Sequence, residues 1–225
     1  MDAPLSMYPF YLFIAALAAC SLLHVTMFAL TGEQLGVAVR EVSFGFGPTI
    51  ARFGKVRIKA LPFGGYVRLK DSRVEPFAEH ERADALDTQP IHVQTALILS
   101  GSAYLLGVAL TTLRLDAVGA FADSFVQIVG GALSPTGYAQ TLLSQAHQAI
   151  SQLPFFALLG LVAAKTAAFN LLPFPNTNGG ALLATLARDT WLARVWPKQL
   201  TKALLFVYLA VIVSWLGAFL LHLGS

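Results

Sequence analysis

Residues 21–37 read SLLHVTMFALTGEQLGV, and one histidine, His24, stands inside an apolar run long enough to cross a membrane. No Asp, Glu, Lys or Arg occurs between Asp2 and Glu33, and a helical crossing needs roughly 20 such residues. An ionisable ring at that depth needs a reason, because polar groups inside a bilayer are costly unless paired or functional. No acid lies within the run to pair with it. Outward from this stretch come three more apolar runs, at 92–113, at 154–172 interrupted only by Lys165, and at 203–223. Only 12% of the 225 residues are charged and 56% are hydrophobic, against about 25% charged in soluble domains. The sequence thus predicts an all-α membrane protein with four transmembrane helices at about 6–31, 92–113, 154–172 and 203–223, and the lipid bilayer as its medium.

The placement of bases sets the expected orientation. Nine Lys and Arg fall between Arg40 and Arg82, and Arg188, Arg194, Lys198 and Lys202 follow the third run, while the connection between the second and third has Arg114 alone. By the positive-inside rule the basic loops face the cytoplasm and both termini face outward. The formal charge of +3 gives no reason to expect nucleic acid as a partner. A single cysteine, Cys20, leaves no internal disulfide and no cysteine-rich zinc site. LAAC at 17–20 has the form of a lipoprotein cleavage site. No base precedes the apolar run, however, and the run continues past Cys20, so cleavage is not expected.

The first basic loop is more than a linker. EVSFGFGP, KVRIKALP and GGYVRL alternate apolar and polar residues between glycines and prolines, the period-two pattern of short antiparallel strands. A small membrane-associated β-sheet at about 41–70 is expected, with Val56 and Ile58 on one face and Lys55, Arg57 and Lys59 on the other. Residues 71–90 turn acidic and read as an exposed connection. Residues 115–153, with a Ser-Pro-Thr-Gly turn at 134–137, read as one or two amphipathic helices lying against the bilayer.

Three stretches now point to a family. LGV–VREVSFGFGP after His24, followed by LPFGGYVRLKDSRVEP, resembles the segment after the zinc motif of site-2 proteases. NLLPFPNTNGG, 170–180, resembles their Asn-x-x-Pro-x-Pro-x-x-Asp-Gly motif, and ALSPTGYAQ, 132–140, resembles a stretch found before their third span. The resemblance implies a single domain over 1–225, four helices of site-2-protease type with the sheet after the first, and no PDZ insertion. It further implies a bacterial inner membrane location with both termini outside.

Family members are intramembrane zinc peptidases. Their chemistry uses His-Glu-x-x-His, two imidazoles one helical turn apart on zinc with the glutamate as general base. A carboxylate from the third span completes the three protein ligands of a catalytic zinc. In this chain His24 takes the first histidine position, Val25 stands at the base, Phe28 at the second histidine and Asn178 at the aspartate. Valine moves no proton, phenylalanine binds no metal, and an amide offers only a neutral carbonyl. The expectation is a vestigial site at His24, Val25, Phe28 and Asn178, with no catalytic residue, no metal and no cofactor. Gly101, Ser102, Ala103, Tyr104 and Leu105 likewise replace the family's Gly-Pro-x-x-Asn.

A fold that grips a transmembrane helix and an extended strand keeps that grip after its zinc is lost. The sequence therefore predicts a structural, assembly or regulatory subunit, binding integral membrane partners within a multisubunit complex. The proposed partner-binding residues are Lys165, Asn170, Thr177, Asn178, Val56, Ile58, Tyr66 and Leu69. The alternative is residual or altered metalloprotease activity, with ligands from a partner or from Cys20 and His24, which lie four apart on one helix face. A small-molecule or ion pathway past Lys165 ranks behind both.

Overall fold

The computed structural model describes residues 8–175, 177–188, 190 and 198–224. Helix α1, Tyr8–Gln34, carries its one proline in the first turn, where a missing N–H breaks no helical bond. Two strands follow, β1 (Val39–Phe53) and β2 (Val56–Leu69), then two short 3-10 turns at Glu79–Glu81 and Leu86–Thr88. Helix α2, Ile91–Leu113, starts behind Pro90 and stops at Arg114, whose φ of 56° leaves the helical region. The chain continues with α3 (Asp116–Leu133), α4 (Tyr138–Gln152), α5 (Phe155–Asn170), α6 (Asn178–Ala187) and α7 (Lys198–Leu223).

Three helical stretches, Tyr8–Gln34, Ile91–Leu113 and Thr201–Leu223, are long and apolar enough to cross a membrane. The chain is an integral membrane protein. The expected third span, 154–172, is shorter than predicted: α5 has 16 residues. At 1.5 Å per residue that is about 24 Å, less than the ~30 Å of a bilayer core. The proline-rich turn after Asn170 stops it, because Pro173 cannot continue the helical ladder.

Small residues let the helices approach closely, as in membrane bundles generally. Ala16 and Cys20 of α1, Ala109 of α2, Ala117 of α3 and Ala163, Ala164 and Ala167 of α5 form one buried cluster. A Cβ on Gly160 would stand 2.0 Å from the Thr112 hydroxyl, so α2 and α5 meet over a glycine. The segment 115–153 forms two helices, and α3 packs into the bundle against α5 and α7 instead of lying apart on a surface. Ala117 and Ser124 of α3 are wholly buried. A Cβ on Gly131 would come within 2.2 Å of Trp215, and the Trp215 indole donates to the Ile128 carbonyl at 2.9 Å.

The hairpin is one long antiparallel pair folded on itself. Residues 42–44 pair with Val67, Tyr66 and Gly65 on one side and with Val56, Arg57 and Ile58 on the other. Residues 56–58 also pair with Phe53, Arg52 and Ala51. The fold-back is made at Gly45, Gly47, Gly64 and Gly65, all at positive φ, where a side chain would strain the backbone. The three strand-like bursts in the sequence thus become two bulged strands, and residues 65–69 are left as a sheet edge beside α1.

Candidate functional site

Four residues bring α1 to the site. Ser21, His24, Val25 and Phe28 line a cavity of about 350 Å³ together with Gly64, Gly65, Tyr66 and Val67 of β2. Thr166 and Asn170 of α5 and Pro175, Thr177, Asn178 and Ala181 close it. The four positions of the expected vestigial site, His24, Val25, Phe28 and Asn178, therefore do converge, although 150 residues separate the last two in sequence.

The turn at 170–180 is held by its own backbone. The Thr177 hydroxyl donates to the Leu172 carbonyl and, at 3.0 Å, to that of Phe174. It also accepts from the Gly180 N–H at 3.4 Å, capping α6. A Cβ on Gly179 would lie 2.2 Å from the Leu171 carbonyl oxygen, and one on Gly180 1.8 Å from that of Phe174. Only glycine fits at either place. This close approach sets Asn178 at the cavity wall, where its amide donates 2.9 Å to the Ile98 carbonyl of α2. The Asn170 amide turns back to the Thr166 carbonyl at 2.9 Å.

His24 does not pair with Asn178. Its Nδ1 is buried against the Gly101 backbone without a well-formed hydrogen bond, and a Cβ at Gly101 would stand 2.6 Å from it. The residues present do not fit zinc. His24 is the one strong donor on the wall, Phe28 has none, and Asn178 has turned its N–H₂ end to a backbone oxygen. Among the described residues no group of three His, Cys, Asp or Glu converges anywhere. Cys20 does not line this cavity. It is 2% exposed, and its Sγ faces the Leu159 carbonyl at 3.9 Å inside the helix packing.

The other residues expected to bind a partner divide. Tyr66, Asn170 and Thr177 line the cavity, whereas Val56, Ile58, Leu69 and Lys165 do not. Val56 and Ile58 sit in the strand segment flanked on both sides, and Leu69 pairs with Val39 and packs near Gly32. Lys165 turns toward α3, donating 2.6 Å to Gln127 Oε1. It borders a second groove that shares Ser21, Gly64, Gly65, Thr166, Asn170 and Thr177 with the cavity.

A polar cluster not foreseen from sequence braces the sheet behind Tyr66. The Tyr66 hydroxyl donates 2.5 Å to Glu41, which is 8% exposed and also pairs with Arg57 at 2.7 Å. Its bond to Glu41 pushes the Tyr66 phenol above its ordinary range, so the ring stays neutral. Glu41 and Tyr66 are far apart in sequence, and only the fold-back of the hairpin brings them together.

A putative zinc metalloprotease of Vibrio cholerae is 31% identical over 100 residues, 42% of this chain and 22% of that protein. The regulator of sigma-E protease RseP of Salmonella typhimurium is 33% identical over 94 residues, 40% of this chain and 21% of its own. A putative zinc metalloprotease of Chlamydia trachomatis reaches 44% over 66 residues, 27% of this chain and 11% of that one. The matched part thus spans about a fifth or less of these relatives' lengths. The family model described as peptidase family M50 matches residues 12–215. With the cavity, the hairpin and the glycine turn all inside that match, the chain belongs to peptidase family M50.

Proposed function

We propose that this chain is a catalytically inactive member of its family, retained as a structural, assembly or regulatory subunit that binds a transmembrane partner. One observation carries the reading: α1, the hairpin and the glycine turn line one cavity whose donors are too few to hold a metal. An extended partner segment has a place beside residues 65–67, the part of the sheet edge that lines the cavity. A partner helix has the groove bounded by Phe13, Leu17, Phe169 and Tyr208. The chain would lie in a bacterial inner membrane with both termini outside, α5 and its turn together completing a fourth crossing. Non-helical backbone at that depth is tolerated only where protein or water covers it.

A second reading follows from the relatives, which carry protease names. Activity here would need ligands and a base from another chain, because Cys20 points away into α5. Photo-crosslinkers at Thr177 and Val67, both on the cavity wall, test the first reading. A second protein captured at both positions, unchanged by His24→Ala, is the expected result. Crosslinks within the chain alone at both positions would refute it.

A further inference from the structure

The folded hairpin has a second edge, residues 49–53, which pair only with 56–59 and do not line the His24 cavity. Contacts with α1 give the depth of the sheet. The Gly64 N–H donates 2.7 Å to the Ser21 hydroxyl, and a Cβ on Gly65 would lie 2.9 Å from a Val25 methyl. A Cβ on Gly32 would meet Leu69 at 3.4 Å. Glu33 is the first charge after Asp2 and so marks the water boundary of α1. Lys55, in the turn after the second edge, stands 3.8 Å from it in a loose, exposed pair. One end of the sheet is thus level with that boundary. The other reaches Ser21, about 18 Å along the helix, past the middle of a ~30 Å bilayer core.

Charge follows this gradient. Toward the deep end Phe46, Ile50 and Leu61 are exposed although large and apolar, as is Phe53 beside the turn. Toward the boundary, Arg52 and Arg57 lie directly opposite each other across the strands, next to Lys55. Like charges so placed destabilise a sheet. Glu41 answers Arg57 at 2.7 Å, and among the described residues Arg52 meets no acid. The pair is one anion short at the level where lipid phosphates lie. An acidic protein segment would answer the bases but leave Phe46, Ile50 and Leu61 uncovered. A lipid covers both, because arginine and lysine stems run along apolar surface to a head group, and the surplus charge selects an anionic one.

We propose that the outer edge of the hairpin binds an anionic phospholipid, with its phosphate on Arg52 and Lys55 and its acyl chains along Phe46, Ile50 and Leu61. The head group supplies the anion that the Arg52–Arg57 pair lacks. It thereby steadies the sheet whose opposite edge lines the His24 cavity.

With Cys20→Ala as background, a bimane fluorophore on Phe53→Cys reads lipid contact in phosphatidylcholine nanodiscs through quenching by nitroxide-labelled probe lipids. Labelled phosphatidylglycerol should half-quench at about one fifth of the mole fraction that labelled phosphatidylcholine needs. Arg52→Gln with Lys55→Gln should bring the two probes level while leaving quenching by phosphatidylcholine unchanged, which shows the edge still in lipid. Arg52→Lys with Lys55→Arg should keep the preference. Equal quenching by the two probes would overturn the proposal, and that comparison is made with both bases in place, so it stands even if the glutamine variant misfolds. No quenching by either probe would put protein against this edge and overturn it too. Excess inorganic phosphate should leave the preference in place, and its loss would assign the bases to a free anion instead.

Discussion

His24 keeps a place on the cavity wall beside Val25, Phe28 and Asn178, none of which offers a carboxylate or a second imidazole. The four-residue step from His24 to Phe28 still presents both side chains to one cavity, and Asn178 still meets them from the α6 N-terminus. On the proposed reading only donor chemistry at Val25, Phe28 and Asn178 keeps metal out, so restoring it should restore binding. The chain as it stands should purify without stoichiometric zinc. The triple variant Val25→Glu, Phe28→His, Asn178→Asp should carry about one zinc per chain and lose it when His24→Ala is added. Elemental analysis of detergent-purified protein reads both. Zinc on the unaltered chain would refute the inactive reading, and none on the triple variant would show that the wall has closed. Those substitutions were legible residue by residue in the sequence. The direction of the Asn178 amide was not, because its acceptor is a carbonyl on α2, 80 positions away.

At the scale of elements, the connection after the hairpin reads from sequence as acidic and exposed, yet it is tied down by named pairs. Lys70, 5% exposed, donates 2.6 Å to Asp84 and lies 4.8 Å from the Phe77 ring centre. Asp87 accepts from the Ser72 N–H at 2.9 Å and from its hydroxyl. The Lys70 hydrogen bond holds the Asp84 carboxyl below its ordinary 3.8. For Asp87, burial pushes upward, but the Ser72 bonds outweigh it and the net shift is downward. Both folded values lie below the unfolded ones, so both pairs stabilise the loop well above pH 3.8. That contribution is lost as pH falls below 3.8 through the folded values. Limited proteolysis should therefore find residues 70–88 protected at pH 6 and cut faster near pH 3, with α2 resistant at both. Cleavage at the same rate at both pH values would show that these carboxylates do not hold the loop. The strands before it were legible in their alternation, but the fold-back of the hairpin was not. Alternation gives the two faces of a strand and says nothing of which segments pair.

For the whole molecule, orientation rests on charge. The loop holding the hairpin has nine bases against Arg114 alone in the connection between α2 and α5. With Cys20→Ala as background, a membrane-impermeant thiol reagent should label Ser225→Cys from outside and spare Ser72→Cys until the membrane is opened. The opposite pattern would invert the topology, and with it the face from which a partner reaches residues 65–69.

Hydrophobicity and three short motifs determined the membrane class and the family from the sequence alone. Those properties are local, since a run of apolar residues or a short motif is what it is wherever the chain folds. Tertiary structure decided the rest. It made a 16-residue helix of the expected third span and drew α3 into the bundle over Gly131. It turned Cys20 into packing and aimed Lys165 at Gln127, away from the His24 cavity. Each of these depends on which helix lies alongside, and helix contacts in a membrane are settled by close packing of small residues and by polar partners across the interface. Residues up to 139 positions apart supply those partners, and no local pattern records them.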